Sequence, residues 1–369
     1  MQQISEAGQS IWLDEISRPL IESGKLAQLI DAFGVTGLTS NPTIFARAIA
    51  DGTAYEPQLR SLLASGVTAP ETAYLAVTET DIRAAADLLR PVYERTGGGD
   101  GFVSIEVPPA VAHDTDASVA MGRRLWRDVD RPNLFVKIPG TPEGVPAIRQ
   151  LLSEGINVNV TLLFSLDAYT QVADAYVDAL SERSQRGLPL STRSVASFFV
   201  SRVDTAVDAL LGKQANGGSA EARSLLGTAA VANARLARQI YTGIVQGDRF
   251  RALQEEGALP QRLLWASTST KNPAYRDVMY VEALVGTDTV NTMPRRTLEA
   301  LADHGRVIAG AVDSDPAGAH RTMDRLAACG VDMAEVTEAL LDDGLRIFQG
   351  SYDEALAVIA HELDRLGRR

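Results

Sequence analysis

The chain has 369 residues, of which 45% are hydrophobic and 22% charged, with a net charge of −12. That composition fits a soluble globular protein with a large core, built as one large α/β domain or two ordinary ones. The acidic balance argues against nucleic acid as a partner, which needs a clustered basic face, but says little about small anions, which need only two or three local cations.

In chain order, short β-rich apolar runs alternate with longer stretches of helical period. Strands are expected at residues 11–16 and 35–41, then, after a helical stretch at 69–94, at 102–107. A helix at 117–129 leads to a strand at 134–139, and another strand follows at 157–164. A helix at 166–182 precedes the strand at 195–200, and a long helical stretch at 220–246 precedes strands at 263–269 and 288–292. Residues 317–329 and 333–366 read as added helices. Eight strands alternating with helices imply βαβ units and a parallel sheet, and eight is the number that closes a barrel. The expected fold is therefore α/β, a (β/α)8 TIM barrel: one domain over residues 1–369, with about 306–369 as a C-terminal helical extension. A doubly wound open sheet is the rival. It usually places a glycine-rich turn after the first strand; here that position holds Ser17-Arg18-Pro19, and no GxGxxG or GxxxxGK[ST] occurs anywhere.

The remaining composition narrows the chemistry. A single cysteine, Cys329, precludes an internal disulfide and fits a reducing cytoplasm, where the protein is expected to reside. The first residues, Met1-Gln2-Gln3-Ile4-Ser5-Glu6, carry no secretory signal pattern, and no apolar stretch reaches the ~18 residues a membrane span needs. The four histidines, His113, His304, His320 and His361, are scattered, so no histidine-based metal site is expected.

Side chains alternate faces along a strand, and helix-covered parallel strands usually read as continuous apolar runs. These do not. The alternation places Trp12 and Asp14, Thr39 and Asn41, Ser104 and Glu106, and Phe135 and Lys137 inward. It does the same for Asn157, Asn159 and Thr161, for Ser197 and Phe199, for Trp265 and Ser267, and for Thr289 and Asn291. Polar groups converging from eight strands cost several kcal/mol of desolvation unless they serve a solvated or ligand-filled mouth, where barrels of this kind build their sites.

Lys137 stands out, flanked by Leu134, Phe135, Val136 and Ile138. Burial lowers a lysine pKa toward neutrality, and a neutral amine attacks a carbonyl to form an imine. The alternative is an ion pair with Glu106 or Asp14 that only holds the barrel together. Those two carboxylates suit the proton transfers of a Schiff-base aldolase, or else neutralise Lys137. Thr161 either positions a water or satisfies the backbone.

The motifs Thr39-Ser40-Asn41-Pro42-Thr43, Phe135-Val136-Lys137-Ile138-Pro139 and Ile156-Asn157-Val158-Asn159-Val160-Thr161-Leu162-Leu163-Phe164-Ser165 resemble those of transaldolases. So do Val195-Ala196-Ser197-Phe198-Phe199-Val200-Ser201-Arg202 and, more weakly, Trp265-Ala266-Ser267-Thr268. The resemblance runs from about Trp12 to Pro294, and the longer chain is similar to the actinobacterial-type branch. It implies a cofactor-free enzyme that moves a dihydroxyacetone unit from sedoheptulose 7-phosphate or fructose 6-phosphate to glyceraldehyde 3-phosphate or erythrose 4-phosphate. Lys137 would form the Schiff base and Asp14 would take the C4 hydroxyl proton. Glu106, through a water held by Thr161, would shuttle protons. Asn41, Asn159 and Ser197 would hold the dihydroxyacetone hydroxyls, Phe199 would shape the wall, and Arg202 and Ser267 would bind the phosphate.

Two positions depart from the family pattern. Ser201 stands where many members have glycine, and Ser269 where the better-known branch has a second phosphate-binding arginine. Lys271 is the expected replacement, the alternative being a solvated loop lysine. Sugar phosphates are the expected partners, without nucleic acid or membrane, for a monomer or homodimer. The rival functions are a Schiff-base aldolase acting on fructose 6-phosphate or an unusual sugar, and a non-catalytic sugar-phosphate-binding barrel.

Overall fold

The computed structural model describes residues 1–51 and 53–368. Eight parallel strands close into a barrel in sequence order: β1 (Gln9–Leu13), β2 (Val35–Leu38), β3 (Phe102–Glu106), β4 (Leu134–Pro139), β5 (Val158–Leu163), β6 (Ser194–Phe199), β7 (Arg262–Ala266) and β8 (Thr289–Met293). β8 pairs back to β1, with Gln9 opposite Thr289 and Leu13 opposite Met293. The TIM barrel expected from the alternation is the fold observed.

Local signals set the covering helices. Asn41, Asp114 and Ser165 each accept a backbone N–H three residues on, capping the helices that follow β2, β3 and β5. Pro42 follows Asn41 at the first helical position, where its missing N–H costs nothing. The stretch read as one helix over 220–246 is two, Ala220–Leu225 and Ala229–Gln246. Gly227 breaks it at φ 70°, and its N–H donates to Asp208 Oδ1 at 2.9 Å.

Two facing assignments need correction. Trp265 lies opposite Phe198 in the sheet and packs on its ring, centroids 6.4 Å apart, while Phe198 packs on Tyr169 of the covering helix Leu166–Gln185. Trp265 therefore faces the helices, and Asn291, its partner on β8, faces out with it. Thr289 also faces out, accepting the Gln9 side-chain amide at 2.9 Å. Leu264 and Thr292 are the inward residues of these strands, since they pair with Ser197 and Trp12. The run Leu263-Leu264-Trp265-Ala266 is apolar on both faces, so it carried no alternation from which to read its orientation. β1 begins two residues earlier than expected because Gln9, polar by type, is 1% exposed and bonded to Leu284 O and Thr289 Oγ1.

After β8 the chain adds helices Arg295–His304, Pro316–Ala328 and Met333–Gly367. The last of these runs across the C-terminal mouth. It meets Leu162 and Arg202 at Gly344, Thr43 at Ser351, Tyr74 at Tyr352 and Glu56 at Arg365.

Candidate active site

The register of the central strands brings three polar side chains into a row: Glu106 lies opposite Lys137, and Lys137 opposite Asn159. The side chains of Lys137 and Glu106 are only 5% and 3% exposed, with Nζ 3.1 Å from Oε2. Nζ also donates to the Ser40 carbonyl at 3.1 Å and stands 5.8 Å from the centre of the Phe348 ring. Glu106 Oε2 has no well-aligned hydrogen-bond donor among the described residues. Burial raises the Glu106 pKa above the ordinary carboxylate range; Lys137 opposes the shift and the charge of Asp14 adds to it.

Asp14 follows β1 and is half-buried. Its Oδ1 accepts from Thr39 Oγ1 at 2.6 Å, and that hydroxyl lies 2.7 Å from Thr292 Oγ1. A hydrogen-bonded array fixes the neighbouring wall: Ser197 Oγ donates to Asn159 Oδ1 at 2.7 Å, and Asn159 Nδ2 donates to Ser104 Oγ at 3.0 Å. Asn41 Oδ1 is committed to the Ile44 N–H at 3.0 Å, so only its amide donors remain for a ligand. Thr161 is fully buried and its Oγ1 has no partner among the described residues. The next residue, Leu162, sits at φ 58°, a conformation a branched side chain avoids, where the β5–β6 register shifts. Strain of this kind gathers at functional sites.

The rim is cationic although the chain is acidic. Arg202 is the second residue of the helix Ser201–Asn216, its guanidinium 5.4 Å from the Phe199 ring centre. Burial lowers its pKa, and Asp14 and Asp343 oppose that. Ser267, at φ 55°, brings its hydroxyl to 3.0 Å from Ser201 Oγ, so the serine at the departure position serves this contact. Lys271 is exposed as a residue, but its ammonium donates to Ser269 Oγ at 3.1 Å. Loss of hydration holds that ammonium below the ordinary lysine range, with Arg202, Arg296 and Arg47 adding to the effect. Two surface clefts of about 860 and 710 Å³ lie between covering helices and touch none of these residues.

Every candidate catalytic and binding residue singled out in the sequence thus lies at or beside the C-terminal mouth. The sequence reading did not anticipate Thr39 and Thr292 as the support of Asp14, Arg47 and Arg296 as further cations, or Phe348. The first four are polar residues at strand and helix ends, a signal open to a closer reading. Phe348 belongs to a helix whose docking place nothing in the sequence specified.

A buried amine beside a buried carboxyl, with a second carboxylate nearby and cations at the rim, suits imine chemistry on anionic carbonyl compounds in a barrel of this kind. The chain belongs to the transaldolase/fructose-6-phosphate aldolase family, whose model matches residues 11–359. It is 51% identical over 364 residues to the transaldolase of Thermobifida fusca, covering 98% of each chain. It is 48% identical to that of Mycolicibacterium smegmatis over 98% of this chain and 96% of the relative, and 50% identical to that of Acidothermus cellulolyticus over 99% and 97%.

Proposed function

We propose that this chain is a transaldolase, transferring a dihydroxyacetone unit from a ketose phosphate to an aldose phosphate through an imine on Lys137. The observation that carries the reading is the buried Lys137–Glu106 pair at 3.1 Å, opposite the hydroxyl-binding array on β5 and β6. As a neutral amine, Lys137 attacks C2 of the ketose. Glu106, raised by burial, supplies the proton with which the carbinolamine hydroxyl leaves as water. Asp14 then takes the C4 hydroxyl proton, the C3–C4 bond breaks, and the aldose phosphate departs while the three-carbon enamine stays on Lys137. Condensation with an acceptor aldehyde runs the steps in reverse, and water held by Thr161 and Glu106 hydrolyses the final imine.

Asn159, Ser197 and the amide donors of Asn41 would hold the hydroxyls of the three-carbon unit, and Phe199 its apolar side. Arg202, Ser267 and Lys271 would meet the phosphate, with the N-terminus of the helix Ser201–Asn216 favouring negative charge. These steps draw on protein side chains and water. No described helix is long and apolar enough to cross a membrane. From the single cysteine we propose a cytoplasmic location, and for the assembly a monomer or homodimer.

The test is a coupled assay with fructose 6-phosphate and erythrose 4-phosphate. Formation of sedoheptulose 7-phosphate and glyceraldehyde 3-phosphate is expected. Release of free dihydroxyacetone at an equal rate with and without acceptor would mark an aldolase instead, and no turnover a binding barrel.

A further inference from the structure

The last helix gives the site a wall that the strands do not supply. Met333–Gly367 buries Gly344, Phe348, Tyr352, Ala355 and Ile359, a spacing of four, four, three and four that makes one face. The Gly344 and Phe348 end of that face lies on the barrel mouth, and the rest packs mainly on the helices that follow β2. A β-carbon at position 344 would come within 2.9 Å of Leu162 Cδ2, so glycine there allows the helix its close approach. One turn on, the Phe348 ring centre is 5.8 Å from Lys137 Nζ, and Phe348 is 3% exposed. The next turn is pinned by Ser351 to Thr43, hydroxyls 2.8 Å apart, and by Tyr352 edge-on to Tyr74 at 5.0 Å.

We propose that Phe348 is a positioning residue that sets the fate of the three-carbon unit held on Lys137. The inference rests on the Schiff-base reading above. An aromatic face attracts a cation within about 6 Å of its centre, most strongly where water is excluded. The protonated imine keeps its positive charge on the same nitrogen, so the ring stabilises that state and keeps bulk water from the space beside it. After cleavage the enamine has two exits. In transfer, its nucleophilic carbon attacks the acceptor aldehyde, a C–C bond forms, and Asp14 protonates the new alkoxide. In loss, that carbon takes back the proton that Asp14 received on cleavage, and water adds to C2 of the resulting iminium. Collapse of the carbinolamine then breaks the C–N bond, releasing dihydroxyacetone and returning the Lys137 amine. Water is the only co-reactant of the loss, and Phe348 withholds it until an acceptor arrives.

The experiment measures free dihydroxyacetone released per transfer, from fructose 6-phosphate with erythrose 4-phosphate, in the full-length protein and in F348A, F348L and F348Y. F348A, which loses the ring and opens the space beside the imine to water, should raise the ratio about tenfold. F348L, which fills the space without a ring, should raise it less, and F348Y should restore it. Should F348A fold poorly, F348L carries the test, with its thermal unfolding compared with that of the parent. An unchanged ratio in a folded F348L or F348A, with both rates falling together, overturns the role of Phe348. A borohydride-reduced adduct on Lys137 in the parent keeps the two questions apart: its absence sinks the Schiff-base reading, whereas its presence with an unchanged ratio sinks only this inference.

Discussion

Lys137 and Glu106 occupy adjacent strands at matched register, so the barrel itself, not a mobile loop, sets their 3.1 Å separation. Breaking a buried pair by removing one partner leaves an uncompensated group in low dielectric. Structural ion pairs share that property; among the described residues Oε2 lacks an aligned donor and Thr161 Oγ1 a partner. Asp14 is held differently, by Thr39 at 2.6 Å, and its assigned work begins only after the imine exists. Asp14→Ala should therefore cut turnover by about 10²-fold or more, the usual scale for removing a general base, while borohydride still traps an adduct. Loss of trapping in a folded Asp14→Ala protein would show that Asp14 acts before cleavage. Both carboxylates and the lysine were legible in the sequence, because a charged residue inside a strand-length apolar run is buried with the strand and must be paired or put to chemical use there.

At the scale of elements, the strands were readable and the facing of two of them was not. β5 alternates apolar with polar and β4 sets Lys137 among apolar neighbours, whereas β7 is apolar from Leu263 to Ala266, and only the sheet partners of Trp265 and Leu264 settle which points inward. The loop after β7 matters most for phosphate recognition. Ser267 at positive φ departs from strand geometry, and Lys271 follows with its ammonium drawn onto Ser269 among other cations. We propose that a flexible point charge in such a place compensates for the missing planar fork of an arginine. Lys271→Ala should raise KM for phosphorylated acceptors by about tenfold, the worth of one charge-assisted hydrogen bond, and spare kcat with glyceraldehyde. An unchanged KM for every phosphosugar would leave recognition to Arg202, Ser267 and backbone donors. The C-terminal helix was legible as a helix. Where it docks depends on Gly344 meeting Leu162, a contact between residues far apart in the chain that no local pattern encodes.

For the whole molecule, the helix that carries Arg202 is tied into the fold by a buried carboxylate. Asp204, 1% exposed, accepts from the Ala230 N–H at 2.7 Å and from Tyr280 Oη at 2.8 Å. Burial pushes its pKa from 3.8 up to about 6, against these hydrogen bonds. A carboxyl raised on folding favours the folded state fully below its unfolded pKa, and that contribution is lost as pH rises through the folded value. Between about pH 4 and pH 6 Asp204 should thus withdraw about 3 kcal/mol of stability, at 1.36 kcal/mol per unit. Asp204→Asn keeps one acceptor for Ala230 and removes the titration. Relative to the parent, it should gain stability in urea unfolding as pH rises across that window. A parallel pH profile in the two proteins would remove Asp204 from the account.

The identity of the nucleophile bears most directly on the assigned chemistry. The protein is treated with borohydride in the presence of fructose 6-phosphate, and its peptides are mapped. A reduced three-carbon adduct on Lys137 is the expected result, since cleavage leaves the dihydroxyacetone half bound. An adduct on another lysine, or none under conditions of full turnover, would contradict the Schiff-base assignment.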